Sequence, residues 1–112
     1  SKETEQKVLK GKLKFRVASM GPAAGIVDVY IVPEGAGIIG RAPVQRALTP
    51  SEISAFFDVN PGQYDIVLAR VGTKTEVFDS GPTDLLEGSV QTMVVYDKKG
   101  GGLPLESLLF AD

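Results

Sequence analysis

The sequence predicts an all-β fold, a Greek-key sandwich of about seven short strands. Three observations lead to it. Apolar and polar residues alternate in successive short runs, the period of a strand with one buried face. Glycine- and proline-rich turns separate these runs at a spacing of roughly 10–15 residues. No stretch sustains the 3.6-residue apolar period of a long helix. Residues 59–71 condense the pattern: a strand end, the turn Asn60-Pro61-Gly62, then a long apolar strand that opens on Tyr64. Proline presets the backbone for a turn, and glycine supplies a positive φ that other residues resist.

Taken in order, residues 1–11 form a polar lead-in, with Lys2, Glu3, Glu5, Lys7 and Lys10 around Val8-Leu9. A single sandwich domain follows over 12–112. Residues 12–18 alternate Leu13, Phe15 and Val17 with Lys12, Lys14 and Arg16, a half-buried strand with a charged outer face. A cationic row of this kind reads as an anion-binding strip or, more commonly, as solvated edge protection. Residues 19–25 are a Gly-Pro loop. Residues 26–32 form a strand with Val27, Val29 and Ile31 inward, which puts Asp28 and Tyr30 together on the other face.

Pro33 to Gly37 end that strand, and residues 38–50 carry no clear period. Thr49-Pro50-Ser51-Glu52 has the form of a capping box. The following run, however, alternates Ile53, Ala55, Phe57 and Val59, so a short turn and then a strand over 53–59 is expected. Beyond Pro61-Gly62, Tyr64, Ile66 and Leu68 point inward. A turn at Gly72-Thr73, a strand over 75–79 and a break at Gly81-Pro82 come next. Leu85-Leu86 is expected to pack under a loop. A strong strand spans 89–96, a polar glycine connector 97–102, and a closing strand 103–110.

Composition narrows the chemistry. The 112 residues suffice for one core, and a net charge of −2 recruits neither nucleic acid nor an anionic membrane. With no cysteine, histidine or tryptophan, the chain has no thiolate nucleophile, no imidazole base or metal ligand and no indole platform. No apolar run is long enough to span a bilayer, and the polar first residues are unlike a signal peptide.

Three elements, Arg16-Val17-Ala18-Ser19, Val27-Asp28-Val29-Tyr30 and Pro61-Gly62-Gln63-Tyr64, together with a terminal Gly-Gly-Leu-Pro-Leu segment, resemble the bacterial family called domain of unknown function 4397. The similarity runs over roughly residues 12–112. It implies a small immunoglobulin-like or transthyretin-like sandwich on an exported or surface-attached protein, a lipoprotein among them. The family has no established activity, so the resemblance carries over no catalytic residue.

Asp28 and Tyr30 are the candidate surface-binding residues; the alternative is that Asp28 pairs with a cross-strand cation such as Arg16 or Lys14. Tyr64, at a strand start just after a turn, reads as the fastener of a tyrosine corner. Asp58, Asp65, Asp79, Asp84 and Asp97 are the carboxylates from which a hydrolytic pair or a calcium site would be drawn. No Asp-x-Asp-x-Asp-Gly loop is present, and Gly35-Ala36-Gly37-Ile38-Ile39-Gly40, which matches a dinucleotide fingerprint in spacing, lacks a following helix. The expectation is therefore a non-enzymatic extracytoplasmic module of the bacterial cell envelope. It would need no cofactor or metal, and it would bind a protein or polysaccharide or serve a structural role. A carbohydrate-binding module using Tyr30, Phe56, Phe78 or Tyr96 is the sharper alternative, and a carboxylate-dependent hydrolase the remoter one.

Overall fold

A computed structural model of the chain describes residues 6–112. The first part of the lead-in expected over 1–11 thus lies outside the described residues. Ten strands make the fold: β1 (Leu13–Ser19), β2 (Val27–Pro33), β3 (Gln45–Leu48), β4 (Glu52–Ile53), β5 (Phe57–Val59), β6 (Gly62–Arg70), β7 (Glu76–Asp79), β8 (Thr83–Leu85), β9 (Val90–Tyr96) and β10 (Glu106–Ala111). They form two sheets, a sandwich as expected, with ten strands in place of about seven. The first sheet runs β10-β9-β1-β4, with β5 also on β1; the second runs β3-β2-β6-β7, with β8 also on β6. All pairings are antiparallel except β1 with β9, whose parallel register runs from Lys14–Val90 to Ser19–Val95.

The alternation along each strand determines which faces meet. Leu13, Phe15 and Val17 of β1, Val27 and Val29 of β2, Ile66 and Leu68 of β6, and Met93 and Val95 of β9 interdigitate in one buried cluster. Each such side chain contributes roughly 1.5–3 kcal/mol by leaving water. Each cation of the basic row on the back of β1 has a partner. Lys14 pairs with Asp58 at 2.7 Å, Lys12 donates to Asn60 Oδ1, and Arg16 donates to Thr92 Oγ1 while its guanidinium lies 4.4 Å from the Phe56 ring centre.

The expected strand over 53–59 is broken. Its register against β1 slips by one residue between the pairs Ala18–Ile53 and Phe15–Phe57, the signature of a bulge. At the break Ser54 N–H donates to Val17 O, while the Ser54 hydroxyl accepts from Val17 N–H at 2.9 Å, taking the place of a backbone carbonyl. Ile53 and Ala55 consequently face solvent, and only Phe57 and Val59 of the expected inward set turn toward the core. Leu85 is buried within β8, a strand the sequence did not suggest, and Leu86 is exposed.

Before the bulge, Thr49 N–H donates to Glu52 Oε1, one half of a capping box, while Glu52 N–H donates to the Thr49 backbone carbonyl, the bond of a turn with no helix behind it. The Thr49 hydrogen bonds hold the Glu52 carboxyl below its ordinary value. A depressed carboxyl stabilises the fold above its unfolded pKa, and that contribution disappears as pH falls through the folded value. Carbon-detected titration should therefore place the Glu52 midpoint below the usual glutamate value, and Thr49→Pro, which removes the donor, should return it there.

Tyr64 behaves as a corner residue: half-buried at the start of β6, it donates its hydroxyl to Asn60 O at 2.7 Å. Tyr64→Phe keeps the ring and deletes this bond, so equilibrium unfolding should show a loss of about 1 kcal/mol with an unchanged denaturant slope.

Candidate functional site

The second sheet is covered on both sides, and this determines where a site can form. In the β2–β6 register Asp28 lies opposite Ala69, Tyr30 opposite Val67 and Val32 opposite Asp65. These residues point away from the main core yet are buried, because the segment between β2 and β3 folds back over them. Tyr30, Val32, Ile38, Val67 and Ala69 form a second apolar cluster there, with Ile38 as the plug dropped from the loop. Gly35, Gly37 and Gly40 all have φ above +70°, which lets the loop curl tightly enough to seat Ile38. The Gly-x-Gly-x-x-Gly spacing therefore serves a turn, and no helix follows it.

Asp28 and Tyr30 do lie side by side on one face, as the strand parity required. Neither is on an open surface: their exposures are 1% and 2%. Asp28 pairs with neither Arg16 nor Lys14, which belong to the other sheet. Its Oδ1 accepts from Ala47 N–H at 2.9 Å and its Oδ2 from Gly72 N–H at 2.8 Å, so one carboxylate ties the β3 edge to the turn after β6. Ala47 is held at φ 55°, a left-handed conformation unusual for alanine, and the bond to Asp28 anchors it there.

Lys74 is the second fastener. Its Nζ donates to Tyr30 Oη at 3.0 Å, to Ile38 O at 3.1 Å and to Arg41 O, and sits 4.6 Å from the Tyr30 ring centre. All three of its donors are spent. Between these fasteners opens a cleft of about 280 Å³ lined by Asp28, Tyr30, Arg41, Pro43, Arg46 and the Gly72–Lys74 turn. The sequence offered Asp28 and Tyr30 but missed Arg41, Arg46 and Lys74. Arg41 and Arg46 lie in the stretch that has no period, and Lys74 follows a turn whose partner across the sheet is not visible in the chain order.

The carboxylates named from the sequence do not converge. Asp58 pairs with Lys14, Asp65 Oδ2 accepts from Gly35 N–H, Asp79 Oδ1 from Gly81 N–H, and Asp97 Oδ1 from Ala23 N–H at 3.2 Å. Asp84 is exposed in the middle of β8. Among the described residues no group of three or more acidic side chains is placed to hold a metal ion. Asp79 and Glu76 do border a second cleft, of about 290 Å³, beside Pro104 and Leu105. Of the aromatics considered as a sugar platform, Tyr30 and Phe78 are buried, the Phe56 ring is covered by Arg16, and Tyr96 is half-exposed. Among the described residues no helix is long and apolar enough to cross a membrane.

No family model matches the chain. No curated protein matches it either. Among solved structures, the C-terminal domain of AlgF from P. aeruginosa is similar, with a TM-score of 0.60 and 20% sequence identity over 92% of this chain and 100% of that domain. At this identity the likeness establishes the β-sandwich fold that the two chains share.

Proposed function

We propose that the domain is a non-enzymatic binding module working outside the cytoplasm at the bacterial cell envelope, and that the cleft over β2 is where it binds. The observation that carries this reading is the way the cleft is built. Its walls, the loop after β2 with the β3 edge on one side and the turn after β6 on the other, are tied together by two fasteners, the buried carboxylate of Asp28 and the ammonium of Lys74. A preformed concavity spares a ligand the entropic cost of ordering its site. The envelope location rests on the resemblance carried by Arg16–Ser19, Val27–Tyr30 and Pro61–Tyr64 to domain of unknown function 4397, and the partner is a protein or a polysaccharide.

Amide chemical shifts recorded against a panel of envelope polysaccharide fragments and envelope protein extracts test the reading. Shifts confined to residues 28–30, 41–47 and 72–74 are the expected result. A panel that leaves those amides unmoved overturns the cleft as the binding surface. Release of reducing sugar from any panel member, abolished by Glu76→Gln with Asp79→Asn, overturns the non-enzymatic assignment in favour of a hydrolase at the second cleft.

A further inference from the structure

Seven cations lie between Lys12 and Lys74, and five of them have partners. Lys12 has Asn60, Lys14 has Asp58, Arg16 has Thr92 and Phe56, Arg70 reaches Ala24 O at 3.5 Å, and Lys74 has three oxygens. The two that remain are Arg41 and Arg46. Among the described residues neither guanidinium has an ion-pair or hydrogen-bond partner, and both line the same cleft. They come from separate elements, the loop after β2 and the strand β3, so chain adjacency does not explain their meeting.

The cleft lining carries an excess of positive charge. Asp28 is the sole carboxylate in the lining, and both of its oxygens are already occupied by Ala47 and Gly72 amides. Against it stand three cations, Arg41, Arg46 and Lys74, in a chain whose net charge is −2. Lys74 has no donor left for a ligand, so it acts as fixed background charge that also holds the Arg41 carbonyl in place. The donors available to a ligand are the two guanidinium forks, whose planar geometry matches the paired oxygens of a carboxylate or phosphate. At about 280 Å³ the cleft far exceeds the roughly 30 Å³ of one water and approaches the lower end of organic-ligand pockets. Pro43 and Tyr30 line the cleft beside the charges.

We infer that the cleft is an oxyanion site for a monomer-sized organic acid unit, held by Arg41 and Arg46 with Lys74 as supporting charge. The inference rests on the binding-module reading above and adds the chemical class of ligand. The shared chemistry is an oxyanion; a carboxylated sugar unit and a sugar phosphate are its two sources.

The test titrates galacturonate, glucose 1-phosphate and neutral galactose into the protein while following the amides of Arg41, Arg46, Gly72, Thr73 and Lys74. The expected result is saturable shifts with at least one of the anions and none with galactose, weakened by added salt. The anion that binds more tightly identifies the source. The Arg41→Ala, Arg46→Ala double variant should weaken binding about tenfold or more. Both residues are exposed, so the variant should keep its fold, and unchanged protection of the Ala47 and Gly72 amides checks this. Equal binding of galactose overturns the oxyanion assignment while leaving the binding module standing. Silence with both anions overturns it even where the broader panel binds. Binding that survives the double variant intact overturns the assignment of the two arginines.

Discussion

Asp28→Ala is expected to lower the stability of the domain by about 3 kcal/mol and to abolish ligand binding in the cleft. The carboxylate is 1% exposed and accepts one backbone N–H from β3 and one from the turn after β6. Alanine removes both acceptors, and a hydrogen bond to a charged group contributes roughly 1.5–3 kcal/mol. Ala47 adds to the loss, since its left-handed backbone is kept in place by the bond that disappears. The Asp28→Asn variant retains one acceptor oxygen and should recover about half of the difference. Urea unfolding gives the stability. Hydrogen exchange gives the location, with the Ala47 and Gly72 amides losing protection in Asp28→Ala well before the β1 and β9 amides do. If those two amides stay protected, the carboxylate does not fasten the loops.

The contrast between Asp28 and its neighbours shows how far the sequence could be read. β1 and β2 were legible because each has one face in the main core and carries a period of two in its own residues, and β9 because it is rich in Val, Thr and Tyr. The strand 53–59 carried the same period and misled, because Ser54 uses its hydroxyl where a strand uses a carbonyl and so shifts the register by one. The period also suggested that Asp28 and Tyr30 face water. What it could not show is the loop that returns over them, whose single buried anchor, Ile38, sits among three glycines with positive φ and has no periodic companion. β6 carries a hint: Asp65 to Ala69 are buried without interruption, the pattern of a strand covered on both faces. Gly21 shows the same limit. It read as part of a loop, but a Cβ there would lie 2.7 Å from Asp97 Oδ1 and 2.9 Å from Leu105 Cδ2, contacts made by residues far along the chain.

Phe15→Ala should cost more than any other single truncation on β1, about 4 kcal/mol, and should nevertheless leave the cleft able to bind. Phe15 is fully buried and sits mid-strand, flanked by Phe57 on β5 and Gln91 on β9. Truncating a buried phenylalanine forfeits its transfer energy and leaves a cavity that the two packed sheets close only in part, a loss of roughly 3–5 kcal/mol. For a domain with a total stability on the order of 5–15 kcal/mol this is a large fraction, so the measurement belongs at low temperature and without denaturant. Phe110→Ala, on the exposed β10 edge, is the control and should stay within about 0.5 kcal/mol. The two sides of the second sheet then separate by readout. Phe15 supports the sheet from the core face, while the cleft is held on the opposite face by the Ile38 cluster, Asp28 and Lys74. Below its melting temperature Phe15→Ala should bind the cleft ligand within about twofold of the parent, since sites without shared contacts act nearly independently. Asp28→Ala should lose both stability and binding. A Phe15→Ala protein that remains folded but has lost the ligand would mean that the core, and not the two fasteners, sets the shape of the cleft.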